Sequence, residues 1–258
     1  MMSFRIVFFD VDGTLTDHRD GSISPLTKQA IQTLLHKGIH VVAATGRPLS
    51  MCTELKEIGI QTFITANGAY VKHGDEVIHK CPMDQQILAE VIEYAEQQGS
   101  GLSFFTDSFS MNGVQSKEIQ SALQDTLLLD EYPYIDKLIH TKEVYLLCLY
   151  ADHHMVKPYE AQFPQLTFSR WHPYICNVLQ HDVNKSLAVK EVLSFFGLTT
   201  DKAIAFGDGQ NDIEMLALAG LGIAMGNAHD ALKSVADFVT KKSSEEGVHY
   251  ALKKHGLI

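Results

Sequence analysis

The sequence predicts an α/β fold, a doubly wound parallel sheet interrupted by an inserted α+β domain. Three observations carry this expectation. Towards both ends of the 258-residue chain, short apolar runs alternate with helical patterns, as in parallel sheets covered by helices on both faces. Several of those runs end directly in loops rich in Gly and Asp. The middle of the chain instead carries a hairpin signal and strand-like runs set further apart.

The elements follow in order. Ile6-Val7-Phe8-Phe9 is a continuous apolar run, the pattern of a strand buried on both faces. Ser24-Pro25 marks a helix start, with Ser as N-cap and Pro in the first turn. Ala30, Ile31, Leu34 and Leu35 form its apolar stripe, and Gly38 ends it. A strand is expected over 39–44, a helix over 48–58 and a third strand over 62–65. Residues 70–72 and 77–80 flank His73-Gly74-Asp75-Glu76 as a hairpin. A helix near 86–97 and strands near 102–105, 144–150 and 174–179 complete the middle. Val189, Val192, Leu193 and Phe196 then stand at helical spacing before Gly197. Strands are expected at 203–206, 221–224 and 237–240, with a helix at 213–219. The core domain is therefore assigned to 1–82 and 184–258, and the insert to 83–183.

Bulk properties narrow the function. A net charge of −10 argues against nucleic acid or an anionic membrane as partner, since both select clustered cations. Cys52, Cys81, Cys148 and Cys176 form no metal-ligand spacing and read as reduced thiols. The apolar run at 4–9 contains Arg5 and is too short for a signal peptide or a membrane span. A cytoplasmic protein is expected, and no feature identifies a subunit interface.

Four segments carry chemistry. Asp10-Val11-Asp12-Gly13-Thr14 follows the first strand, so two carboxylates can face one cleft if the chain turns at Gly13. Thr45-Gly46-Arg47-Pro48 offers a hydroxyl, a backbone N–H and a helix start that favours an anion. Asn184 is a plausible N-cap, which places Lys185 in a first helical turn, the wrong end for a cation. Gly207-Asp208-Gly209-Gln210-Asn211-Asp212 sets two carboxylates four apart, oxygen ligands that suit magnesium. Each has a purely structural alternative: an Asx turn, a helix cap, a solvated lysine, an acidic first turn. Three of the four follow apolar strands and converge on one sheet edge.

In that order, DVDGT, TGR, Lys185 and GDGQND resemble the four motifs of the haloacid dehalogenase-like phosphatases. The closest likeness is to the Cof-type subgroup, which carries an α/β cap after the second motif. The resemblance implies a Rossmann-like core with the insert as a substrate-selecting cap. It makes Asp10 the nucleophile that becomes an aspartyl phosphate, and Asp12 the general acid and then base. It implies Mg²⁺ held by the Asp10 carboxylate, the Asp12 backbone carbonyl and Asp208. Asp212 would ligate through water or, the favoured reading, support the other ligands. Thr45, Gly46 and Lys185 would hold phosphate oxygens. Asn211 would orient the phosphate or the nucleophile, Arg47 reach a phosphate oxygen or the cap, and Asn67 contact substrate. Ser186 stands where the subgroup commonly has Gly. The implied partner is a small phosphorylated metabolite: a sugar phosphate, a nucleotide or a phosphorylated cofactor. A phosphomutase, a phosphometabolite-binding regulator and an adaptor are the rival expectations.

Overall fold

A computed structural model describes residues 4–127, 129 and 131–258. The chain opens with β1 (Ile6–Asp10), α1 (Pro25–His36), β2 (His40–Ala44), α2 (Thr53–Glu57) and β3 (Thr62–Thr65). A hairpin of β4 (Tyr70–His73) and β5 (Glu76–Lys80) follows. Next come α3 (Gln85–Gln98), β6 (Gly101–Phe105), β7 (Phe109–Met111), α4 (Lys117–Leu127), β8 (Leu146–Tyr150), α5 (His153–Gln162), β9 (Leu166–His172) and β10 (Ile175–Gln180). The chain closes with α6 (Lys185–Phe195), β11 (Ala203–Gly207), α7 (Ile213–Leu218), β12 (Leu221–Ala224), α8 (Asp230–Val235), β13 (Phe238–Val239) and α9 (Gly247–Lys254).

Two compact units result. The first joins Met1–Arg47, Met51–Lys80 and Asn184–Ile258. Its sheet runs β13-β12-β11-β1-β2-β3-β4-β5. Pairing is parallel from β13 to β3. The hairpin extends this sheet antiparallel beyond β3, so the sheet is mixed rather than wholly parallel. β1 lies between β11 and β2, and the winding reverses there. That reversal is where open α/β sheets bind ligands, outside the carboxyl ends of their strands. All five residues of β1 and all five of β11 are buried, and Phe9 stacks on Phe206 across the pair with ring centroids 4.9 Å apart. Ser24 caps α1 by accepting from the Thr27 N–H at 3.1 Å, as its sequence signal predicts.

The segment 48–58 departs from expectation. It forms a single tight turn at Leu49–Met51 and then the short α2. Between them Cys52 leaves helical angles, with φ −106° and ψ 22°. After the buried Pro48, its buried residues Cys52, Leu55 and Ile58 recur every third position, a repeat closer to a 3₁₀ turn than to an α-helix. The helix N-terminus expected behind Thr45-Gly46-Arg47 is therefore not formed.

The second unit comprises Pro48–Ser50 and Cys81–Val183. Its sheet, β7-β6-β8-β10-β9, is antiparallel throughout. Leu88, Val91 and Ala95 of α3 and Val156 and Tyr159 of α5 pack on one face, against Leu102, Phe104, Leu147, Leu149 and Val178. Asp84 caps α3 by accepting from the N–H groups of Gln86 and Ile87. Strands β7 and β9 and helices α4 and α5 had no expected counterpart in the sequence. In the first unit the same is true of α8 and α9.

Candidate active site

The strand ends place the motif residues. Asp10 ends β1, Thr45 follows β2, Asn67 lies just past β3 and Asp208 follows β11. These four strands are neighbours in the sheet, so side chains far apart in sequence share one edge. Lys185, the first residue of α6, joins them. Asn184 holds the start of that helix by accepting from the Leu187 N–H at 2.9 Å.

The centre is a charge cluster. Lys185 Nζ donates to Asp10 Oδ1 at 2.5 Å and to Asp212 Oδ1 at 2.7 Å. Lys185 is 1% exposed and Asp212 0%, so a salt bridge is made almost without water. Asp212 Oδ2 accepts from the N–H groups of Asp208 (3.2 Å) and Gly209 (3.0 Å). Asp208 and Asp212 thus do not project side by side from one helix, as their spacing suggested. Asp212 instead folds back as the cap of its own loop, and α7 begins only at Ile213. Asp208 Oδ1 accepts from the Thr14 hydroxyl at 3.2 Å. Gly13 turns the chain at φ +84°, and a Cβ there would overlap the Asp208 carboxylate.

Three carboxylates share one ammonium. Burial, and then the neighbouring Asp212, push the Asp10 carboxyl well above the usual carboxylate range although Lys185 is bonded to it. Burial and then Asp212 likewise raise Asp208 to about 6. Burial works against the charge of Lys185, but Asp10 and Asp212 outweigh it and hold the ammonium above its ordinary range. The cluster is short of positive charge. Asp10, Asp208 and Asp212 each offer an oxygen, all within 4.8 Å of one another. Hard oxygen donors with uncompensated negative charge fit a divalent cation.

Around this centre lie two further groups. Arg47 Nε donates to both oxygens of Asp12 at 3.1 Å, and Nη2 closes a bidentate pair on Oδ1. Arg47 therefore faces Asp12. The Asp12 side chain is not one of the three clustered carboxylates. Asn211 Nδ2 donates to Asn67 Oδ1 at 3.1 Å, and Asn67 holds the left-handed conformation at φ 54°. The Asn67 amide also sits 3.3 Å from where a Cβ on Gly46 would stand. Thr45 is fully buried, and its hydroxyl accepts from the Arg47 N–H at 3.0 Å. Two residues in contact with the cluster were missed from sequence. Thr14 lay inside a recognised motif. Asn227 follows β12 in Met225-Gly226-Asn227, the same strand-then-glycine signal that marked the other loops.

Comparison with known proteins agrees with this geometry. The sequence profile of the haloacid dehalogenase-like hydrolases matches residues 7–252, and the chain belongs to that family. It is 34% identical over 260 residues, the full length of both chains, to the putative phosphatase YkrA of Bacillus subtilis (strain 168). It is 28% identical to the 5-amino-6-(5-phospho-D-ribitylamino)uracil phosphatase YitU of the same organism, over 97% of each chain. Among solved structures it is similar to the sugar phosphatase BT4131, described as subclass IIB of the superfamily. That match has a TM-score of 0.86 and 30% identity, and covers 98% of this chain and 100% of that one. The fold, with its parallel-rich sheet and separate antiparallel sheet, is that of these enzymes. The protein is an enzyme of the same class, a haloacid dehalogenase-like phosphatase.

Proposed function

We propose that this phosphatase is Mg²⁺-dependent and hydrolyses a small phosphorylated metabolite through an aspartyl phosphate on Asp10. The observation that supports the reading is the buried Asp10 carboxylate, bonded to Lys185 and flanked by Asp208 at the switch point of the sheet. Mg²⁺ would be held by Asp10, Asp208 and the Asp12 backbone carbonyl. Asp212, with both oxygens already engaged, supports Lys185 and the Asp208 loop. When bound, the cation supplies positive charge to the phosphate oxygens, offsetting the repulsion between an anionic nucleophile and an anionic substrate.

The rest is done by the chain. Asp10 Oδ attacks phosphorus, the ester P–O bond breaks, and the leaving oxygen takes the proton of the Asp12 carboxyl. Asp12, now a carboxylate, removes a proton from water. The oxygen of that water attacks phosphorus, the P–O bond to Asp10 breaks, and inorganic phosphate and the Asp10 carboxylate are released. Lys185, the Thr45 hydroxyl and the Gly46 N–H hold non-bridging oxygens as charge shifts. Asn211, bonded to Asn67, would orient the phosphate, and Asn67 would contact the substrate. Arg47 pairs with Asp12 and would offer its guanidinium to a phosphate oxygen of the bound substrate.

The inserted domain is the proposed substrate-selecting unit. YitU is named for a ribitylamino phosphomonoester and BT4131 for sugar phosphates, which supports a polyol- or sugar-like leaving group here. The four cysteines are free thiols, and among the described residues no helix is long and apolar enough to cross a membrane. Both features suit the cytoplasmic location proposed.

The test is phosphate release from a panel of small phosphomonoesters, with and without Mg²⁺, for wild type and Asp10→Asn. Metal-dependent release that falls by about four orders of magnitude or more in the variant is expected. Undiminished turnover by a folded Asp10→Asn protein would overturn the nucleophile. Phosphate retained on an isomerised sugar would convert the reading to a phosphomutase.

A further inference from the structure

The loop after β12 reaches the same carboxylates from the other side. Asn227 Nδ2 donates to the Gly13 carbonyl at 2.8 Å and to Asp208 Oδ2 at 3.2 Å. Asn227 Oδ1 accepts from the Ser243 N–H at 2.9 Å. That third bond fixes the amide's orientation, because the flipped amide would set its NH₂ against another N–H and its oxygen against two oxygens. The network continues outward, since the Ser243 hydroxyl accepts from the His18 N–H at 3.1 Å. The Asp208 backbone is held as well, its carbonyl accepting from the His229 N–H at 3.0 Å. One side chain thus ties the turn behind Asp10, the Asp208 carboxylate and the segment before α9 to one another.

We propose that Asn227 is a positioning residue for the metal, fixing the Asp208 carboxylate in the rotamer that ligates. This rests on the Mg²⁺ reading above. The chemistry of the donors is the reason. Asp208 receives one hydrogen bond from the Thr14 hydroxyl and one from the Asn227 amide, and both donors are neutral. A lysine or arginine would also orient the carboxylate, but it would cancel the charge that a divalent cation requires. Two neutral donors, one on each oxygen, restrain both ends of the carboxylate and leave the charge in place. Partners of this kind behind metal ligands typically change affinity by about 10- to 100-fold when removed.

The experiment is Mg²⁺ binding by calorimetry to wild type, Asn227→Ala and Asn227→Asp, with the metal-free Tm of each and the Mg²⁺ concentration for half-maximal turnover. Asn227→Ala is expected to bind Mg²⁺ about 10- to 100-fold more weakly. The half-saturating concentration should rise by the same factor, and kcat at saturating metal should stay near wild type. Asn227→Asp, of the same size, replaces the donor by an acceptor facing Asp208 and the Gly13 carbonyl and should lose activity at ordinary metal concentrations. Asn227→Ser serves if Asn227→Ala fails to fold, with weaker binding again expected. Unchanged Mg²⁺ affinity, with only a lowered metal-free Tm, would make Asn227 a structural residue and overturn the proposal while leaving the Mg²⁺ reading intact. Absence of Mg²⁺ binding by wild type would overturn both.

Discussion

At the scale of the residue, Lys185 decides the electrostatics. A cation in the first turn of a helix works against the dipole by about 0.3–1 kcal/mol, and that local misfit was visible in the sequence. Its cause was not visible, since the partners lie 175 and 27 positions away. Removing the ammonium would leave Asp10 and Asp212 buried without a counter-charge. Lys185→Met is expected to destabilise the metal-free protein by about 3–5 kcal/mol, read by urea denaturation, with part of the loss recovered on adding Mg²⁺. Asp208 gives the pH dependence. Its value in the fold, about 6, lies above the ordinary 3.8, so folding favours its protonated form. The stability it contributes to the metal-free protein is fully present below about pH 4 and is lost as pH rises through about 6. Asp208→Asn should flatten that loss in denaturation profiles collected across this window. The metal requires the ionised carboxylate, so Mg²⁺ affinity in the wild type should weaken as pH falls below about 6. The pairing of Arg47 with Asp12 could not be read from sequence, because Thr45-Gly46-Arg47 offers an arginine without saying which anion it faces.

At the scale of the element, the legible strands were the largely buried ones, together with the more exposed hairpin that its turn residues marked. β1, β2, β3 and β11 are short, mostly apolar runs buried at every position except His40, and all four were located within about a residue. β9 was hidden because its inward positions include Arg170 and His172, while its outward ones include Trp171. Arg170 is accommodated there by donating to the backbone carbonyls of Ala151, Asp152 and Pro173. Helices α8 and α9 were missed for lack of length, at six and eight residues. The turn after β3 shows how one element sets another. Gly68 has φ +110°, and a Cβ there would overlap the Asn184 carbonyl, the residue that caps α6. Gly68→Ala is therefore expected to cost about 1–3 kcal/mol in backbone strain. It should also lower turnover by shifting the start of α6 and with it Lys185. Parallel denaturation and steady-state measurements check both effects, and unchanged kcat in a destabilised variant would separate the helix start from catalysis.

At the scale of the whole molecule, the cation would act as folding energy as well as chemistry, because the cluster that would hold it is assembled only in the fold. Mg²⁺ at about 100 times its dissociation constant should stabilise the protein by about 2.7 kcal/mol, and a chain of this size gains about 2–4 °C in Tm per kcal/mol. A chelator should accordingly lower the Tm by about 5–10 °C, and no shift on chelation would count against metal at this site. The two-part organisation was legible because the strand–helix alternation stops and restarts. The hairpin on the main sheet was expected as a hairpin, but its pairing with β3 is a tertiary fact beyond the reach of a local pattern. That hairpin and β13 form the two margins of the eight-stranded sheet. β13 is only two residues long, and β5 presents Glu76, His79 and Lys80 along its five. Short or charged margins resist strand-to-strand association between molecules. Glu76→Val with Lys80→Val would leave an apolar border next to the exposed Val77, and a molecule otherwise unchanged at its catalytic centre would become prone to aggregate on concentration.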